Sequence, residues 1–433
     1  MTDRRSFLLG SAGAATGLAL GAGGCSTAEA VSRTKAYDVV VAGGGPAGVS
    51  AACAAARSGA RVMLLELQGA LGGIWTSGLL GCVLDFGRSR TAKEIIARLD
   101  ALSARHAKGD SDFPYEPEYM KYVLEDMCTS FGVEFQLHTM VTGAEVSGRM
   151  IRTVETHSKS GLERWQAKVF VDATGDGDLA ALSGCGFDLG SQDGSDQPAS
   201  LDAILAVRDA AALAPYTLYS GRDWASATGA FRDELLRAGI KPSYGMPTLY
   251  RVHDHLLVMM ANHEYHVRLD DAAAVTAATV RARRENIEMV AALARLGGPW
   301  SGVRVVATAE QLGHRTARRI HGRYTVNRED VIAGRCFEDG VADCRFPVDI
   351  HAEDVDAAAV SSVSVKAKPF QIPLRALMAK DVDNLFLSGR CISGDYISHA
   401  AYRVTGPAVA TGEAAGRAAA RRALGGQACS DAC

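Results

Sequence analysis

The chain has 433 residues, with 46 lysines and arginines against 49 aspartates and glutamates, a formal net charge of −3. At about 150 residues per domain that length suggests two or three domains, and 48% hydrophobic with 22% charged residues is an ordinary globular balance. It excludes a disordered chain, a collagen-like fibre and a multi-span membrane protein, and leaves no basic surplus for holding nucleic acid.

Residues 3–9 read Asp-Arg-Arg-Ser-Phe-Leu-Leu, and a weakly apolar, glycine-rich stretch continues to Gly24. It is too short and too glycine-rich for a transmembrane helix. Arg4 and Arg5 ahead of it resemble a twin-arginine export signal, which implies a periplasmic or extracellular protein. Ala28-Glu29-Ala30 offers a small-x-small cleavage site, so residues 1–30 read as a signal peptide. Cys25 offers a rival, a lipid anchor, but Ala22-Gly23-Gly24 before it lacks the usual branched apolar residue.

Tyr37 to Ala42 is a short β-branched run that fits a buried parallel strand. Gly43-Gly44-Gly45-Pro46-Ala47-Gly48 follows, then an alanine-rich helix from Pro46 to Arg57 that Gly59 is placed to end. Arg61 to Leu65 is a second buried strand, with Glu66 at its end. A GxGxxG between strand and helix, with an acidic residue after the next strand, is the dinucleotide-binding fingerprint. Gly43 permits the tight turn, Gly45 lets the backbone approach a pyrophosphate, and Gly48 lets helix and strand pack closely. The helix N-terminus at Pro46 and Ala47 offers unpaired N–H groups to phosphates. Glu66 is placed to accept hydrogen bonds from the adenosine ribose.

FAD and NAD share this fingerprint, and three other segments decide between them. Residues 69–81 form a glycine-rich loop that contains Gly72 and Gly73. Residues 168–178 are an apolar strand running into Asp172-Ala173-Thr174-Gly175-Asp176-Gly177-Asp178. Residues 384–416 hold a strand, Ser388-Gly389-Arg390, a loop and a small-residue helix. In this order the pieces resemble bacterial FAD-dependent oxidoreductases of the glutathione-reductase-like two-domain class, over most of the mature chain. The resemblance implies FAD as cofactor. It implies that the Ala173-Thr174-Gly175 turn returns near FAD, and that Gly389 and the helix start at Thr405, Gly406 and Ala408 face the flavin. A helix N-terminus there would stabilise negative charge on the reduced ring.

The remaining elements suggest how the domains divide. Residues 91–108 and 117–131 read as amphipathic helices. Val133–His138, Val141–Val146, Ile151–His157 and Arg164–Val169 alternate apolar and polar residues, a β-meander inserted in the cofactor domain. Met246–Ala261 and Val303–Ala309 read as strands around a long helix over 271–296. The expected architecture is α/β: a Rossmann-like FAD-binding domain (31–190 and 370–425) with a β-meander insertion. A second, α+β substrate or cap domain spans 191–369, and residues 426–433 form a tail. The Gly184-Cys185-Gly186 run follows a helix rather than a strand, so it is no second fingerprint. Electrons are then exchanged with small molecules or another protein, not through an NAD(P)H domain.

Several clusters bear on chemistry. Ten cysteines are scattered without CxxC spacing, which disfavours an iron–sulfur cluster or attached haem. His253 and His255 would share a strand face, and His263-Glu264-Tyr265-His266 lacks the HExxH spacing, so no metal site is expected. His314, Arg315, Arg318 and Arg319 form a basic stretch, either a solvated helix face or, through Arg315, a holder of an anionic substrate group or FAD phosphates. His399-Ala400-Ala401-Tyr402-Arg403 lies between two flavin-facing motifs. His399 or Tyr402 is a candidate acid/base, and Arg403 a candidate stabiliser of an oxyanion or the reduced flavin. Cys391 reads as packing. Ile74-Trp75 stand where a tethering histidine would be expected, so FAD should be held non-covalently. The expected function is hydride transfer between a small organic substrate and FAD. Its rivals are a redox-neutral flavin-dependent lyase or isomerase, and a non-catalytic flavin-binding module.

Overall fold

The computed structural model describes residues 36–106, 109–191, 196–221, 223–352 and 365–426. The segment expected to be an export signal, its expected cleavage site, Cys25 and the terminal Cys429 and Cys433 lie outside the described residues.

Five parallel strands form the centre of the larger sheet. From one edge they are Glu134–Gln136, Val62–Leu65, Ala36–Ala42, Gly161–Asp172 and Leu385–Leu387. Val39, Val40, Val41 and Leu64 are fully buried, as strands covered on both faces must be. Helix Pro46–Arg57 covers one face, starting on Pro46 where a missing N–H costs nothing. Helix Thr405–Ala423 lies against it. A Cβ at Gly412 would sit 2.2 Å from the Ala47 carbonyl oxygen, and one at Gly416 2.1 Å from that of Ala51. Two glycines four apart share one helix face, and their bare backbone sets how closely the helices approach.

The 12-residue strand Gly161–Asp172 belongs to two structures at once. Its first half pairs antiparallel with Met150–Ser158, which pairs with Met140–Ser147. Its second half pairs parallel with Ala36–Ala42 and Leu385–Leu387. The meander therefore has three strands where the alternation suggested four. Residues Glu134–Gln136, expected to open it, pair parallel with Val62–Leu65 instead. They follow helix Pro117–Ser130, and a helical crossover returns a chain parallel to its sheet. The helix expected over 91–108 stops at Ala101, and Ser103 beyond it takes φ 54°.

The second sheet is antiparallel, in the order Thr248–His253, Leu256–Met260, Ala203–Ala206, Arg304–Thr308. Helices Trp224–Arg237 and Ala272–Leu296 start on Asp223 and Asp271, whose carboxylates accept from Ser226 N–H and from Ala273 and Ala274 N–H. Leu205, Phe231, Leu249, Met259, Met289, Leu293 and Trp300 form the local core. His253 ends its strand and His255 lies in the turn, with Nδ1 2.8 Å from the Arg208 carbonyl oxygen. They do not share a strand face. The glycine-rich loop joins the two sheets: a Cβ at Gly81 would be 2.5 Å from the Tyr250 ring. The whole is a Rossmann-like cofactor-binding unit with a β-meander, beside a smaller α+β unit.

Candidate active site

A cavity of about 890 Å³ opens where the parallel strands end against the smaller unit. Gly43, Gly45, Pro46 and Ala47 line it at the start of the first helix. Gly43 has φ 96°, and a Cβ there would lie 2.4 Å from the Ala173 carbonyl oxygen. Any other residue would be strained and would collide. Gly48 does not line the cavity; a Cβ there would stand 1.7 Å from the Gly43 carbonyl oxygen, so its work is close packing. Around Gly45 a Cβ would meet nothing within 4 Å, which leaves the helix N-terminus open to a ligand. Glu66 accepts from Gly44 N–H at 2.5 Å and from Gln68 N–H at 2.6 Å. Burial raises its pKa and those two N–H groups work against the rise. Gly73 lines the cavity, whereas Gly72 turns away beside Thr76.

The Ala173-Thr174-Gly175 turn lines the same space. Buried Asp172 shapes it, accepting from Thr174 N–H at 3.0 Å, Thr174 Oγ1 at 2.8 Å and Ala180 N–H at 2.8 Å. Opposite stand Gly389, with φ 75°, and Thr405 and Ala408 at the start of the C-terminal helix. Gly406 is a packing glycine, since a Cβ there would be 1.8 Å from the Asp85 carbonyl oxygen. Thr405 Oγ1 is buried and has no partner among the described residues. Buried hydroxyls are normally satisfied, so this one marks a place for a bound polar group. One open helix N-terminus at Pro46, a carboxylate at the strand end and an orphan hydroxyl fit a dinucleotide lying along the cavity.

Beyond Thr405 the lining becomes charged. Arg403, Arg315, Asp349, His351, Ser200 and Asp202 all face this end. Arg403 donates through Nη2 to the Asp349 carbonyl oxygen at 2.7 Å and to Gln197 Oε1 at 3.2 Å, and pairs with Asp349 Oδ2 at 3.3 Å. Its Nε is buried and unpartnered among the described residues. Burial lowers its pKa to about 10, with Asp349 opposing, so it keeps its charge at neutral pH. Arg315 donates through Nη1 to the Pro198 carbonyl oxygen at 2.7 Å and to Ser200 Oγ at 2.9 Å. Among the described residues no carboxylate pairs with it. Burial raises Asp202 to about 8, against the pull of Arg315.

His399 and Tyr402 do not reach the cavity. The short helix Tyr396–Tyr402 turns both into the core, and the Tyr402 hydroxyl donates to the Ile392 carbonyl oxygen at 3.0 Å. Burial, then the charge of Arg403, drives His399 well below the usual imidazole range. The basic stretch is not a solvated helix face either. Arg318 bonds Asp178 at 2.8 Å, and Arg319 is buried with Nε 3.1 Å from the Gly394 carbonyl oxygen. Arg390 bridges Gly175, Asp176 and the His314 carbonyl. Cys391 is buried in the core.

A second cavity of about 770 Å³ adjoins the first. Leu84, Tyr250, Met260, Asp349 and His351 line both, and Phe86, Tyr219, Trp224 and Tyr244 give the second an aromatic wall. No group of three metal-ligating side chains occurs among the described residues, nor any helix long and apolar enough to cross a membrane.

The family model for FAD dependent oxidoreductases matches residues 38–431. The chain belongs to that family. This FAD-dependent oxidoreductase is thus an enzyme, and FAD is its cofactor. A search of curated proteins found no match. Among solved structures, it is similar to a flavin-dependent brominase with a TM-score of 0.49 and 12% identity, over 90% of this chain and 80% of the brominase. A flavoprotein/dehydrogenase from Cytophaga hutchinsonii gives 0.47 and 13%, over 91% and 80%. A geranylgeranyl bacteriochlorophyll reductase-like protein from Thermoplasma acidophilum gives 0.45 and 13%, over 90% and 78%.

Sequence reasoning missed Gln197, Asp202, Asp349 and His351. None sits in a motif. The chain brings Asp202 to the oxidoreductase's cavity from one stretch and Asp349 and His351 from another, while Gln197 stands behind Arg403.

Proposed function

We propose that this oxidoreductase moves a hydride between non-covalently bound FAD and a small organic substrate that carries an anionic group. The observation that supports it is the pair of cations at one end of the cavity: Arg315 has no carboxylate partner among the described residues, and Arg403 keeps an unpartnered Nε. Buried guanidinium N–H groups call for an acceptor, and a carboxylate suits their planar fork. FAD, when bound, supplies the site that takes up or returns the hydride. Glu66 and the Gly45 helix start would hold its adenosine and phosphates. Thr405 and Gly389 would border its ring. Arg403 and Arg315 orient the substrate, and Asp349 holds Arg403 in place.

We also infer that the cofactor domain is discontinuous, built from 31–190 and 370–425, with 191–369 as cap, in the manner of the glutathione-reductase-like class. Export in folded form is part of the same reading, supported by Arg4 and Arg5 ahead of the apolar stretch. Replacing both with lysine should leave the precursor uncleaved in the cytoplasm; unchanged export would exclude that route.

The test of the main reading is a spectrum, then a substrate panel. The purified protein should show flavin absorbance that is released on denaturation. Anaerobic addition of small organic acids should bleach it. If product forms while the flavin stays oxidised throughout, the hydride reading is wrong.

A further inference from the structure

His351 is surrounded as a proton acceptor would be. Its Nε2 lies 3.1 Å from Asp349 Oδ2. A carboxylate only accepts, so Nε2 carries the hydrogen and donates it. Nδ1 is left with its lone pair, and that atom is buried and unpartnered among the described residues. Asp349 is itself fixed by Arg403, and the His351 backbone N–H donates to Gln197 Oε1 at 3.0 Å. Asp349 thereby sets the tautomer, and Gln197 holds the backbone that carries the ring. His351 also stands on the wall common to the two cavities.

We propose that His351 Nδ1 takes the proton during substrate oxidation, and that the substrate is a hydroxy acid whose carboxylate lies against Arg315. This rests on the hydride-transfer reading above. The substrate C–H bond breaks and its electron pair leaves with the hydrogen as hydride to FAD. The O–H bond breaks and its proton passes to Nδ1. The carbon–oxygen double bond forms, so the alcohol is oxidised and FAD reduced. Asp349 is the positioning residue.

The surroundings favour an acceptor over a donor. Arg315, Arg403, Asp349, His263 and Tyr244 face the ring, the last two with ring centroids 5.1 and 5.6 Å away. Burial and then the charge of Arg315 lower His351 to about 4, while Asp349 works upward. The imidazole is neutral at neutral pH and has no proton to give at Nδ1. Reduction of a carbon–carbon double bond would need a donor there. An amine entering as the free base can lose hydride without a base. An alcohol cannot leave its O–H proton in place, so it is the substrate that needs this nitrogen.

Two measurements on the FAD-loaded protein test the proposal. Nitrogen-15 NMR of the His351 ring should show the lone pair on Nδ1, and Asp349→Asn should scramble that tautomer. A hydrogen on Nδ1 in the wild type overturns the proposal whatever the substrate. Anaerobic bleaching is then followed with 2- and 3-hydroxy acids and the matching amino acids. His351→Gln should slow bleaching by hydroxy acids about 100-fold or more. Its FAD content, and the flavin spectral shift on binding the matching keto acid, should stay near wild type. Bleaching by His351→Gln within about threefold of wild type overturns the base. Bleaching by amino acids alone overturns the hydroxy acid and leaves hydride transfer standing. A wild type bleached by neither removes the hydride-transfer reading and this one with it.

Discussion

At the Glu66 end of the cavity, Gly43, Gly45 and Glu66 come from one strand–helix–strand unit. At the Arg403 end, Gln197, Asp202, Arg315, Asp349, His351 and Arg403 come from stretches far apart in the chain. The first end works through backbone: a turn with φ 96° at Gly43, a bare helix start, and N–H groups on a carboxylate. The second works through side-chain charge in a buried place. Backbone devices need particular residues at fixed spacing, so they are conspicuous in a sequence. Side-chain clusters need only the fold to bring them together.

Substitutions can separate the two ends. The largest effect should come from Gly48→Val, because the first Cβ alone would lie 1.7 Å from a carbonyl oxygen. Strain there should reach about 3 kcal/mol or more, seen as colourless, poorly folded protein; a yellow protein with unchanged melting would mean the helix can shift. Arg403→Ala should keep FAD and lose about 10²–10³-fold in turnover. Arg403→Lys is the control for charge without the fork. Flavin loss in step with activity would show that the two ends are not separable. Glu66→Ala should weaken FAD binding about tenfold, roughly 1.4 kcal/mol, read by titrating apoprotein with FAD, and turnover at saturating FAD should hardly change. A separate effect, on stability alone, concerns Asp202, which folding raises from 3.8 to about 8. Such a carboxyl favours the folded state fully below pH 4, and that contribution is lost as pH rises to 8. Wild type should therefore lose stability relative to Asp202→Asn between pH 5 and 8 in paired melting curves. Parallel curves would show that Asp202 titrates normally.

The same contrast explains what could be read in advance. The helix Pro46–Arg57 has the bounds its proline start and Gly59 stop imply. The Ala-Thr-Gly turn, Gly389 and Thr405 all reach the cavity. Their place between flavin motifs marks His399 and Tyr402 as candidates, but a seven-residue helix sends successive side chains around its axis. Only Arg403, just past its end, faces the cavity. His351 stands between Ile350 and Ala352 with no spacing to mark it. The meander has one strand fewer because alternation over Val133–His138 says nothing of that segment's pairing partner.

The packing of the first helix against the last sets an order of events. Ser50 Oγ donates to the Val409 carbonyl oxygen at 2.7 Å across 359 residues of sequence, and strand Leu385–Leu387 fills the sheet beside Gly161–Asp172. The fingerprint helix is thus covered by a helix that the chain supplies only near its other end. Contacts this distant form slowly. A pocket wall built from both ends of the sequence is complete only once the last helix has packed against the first.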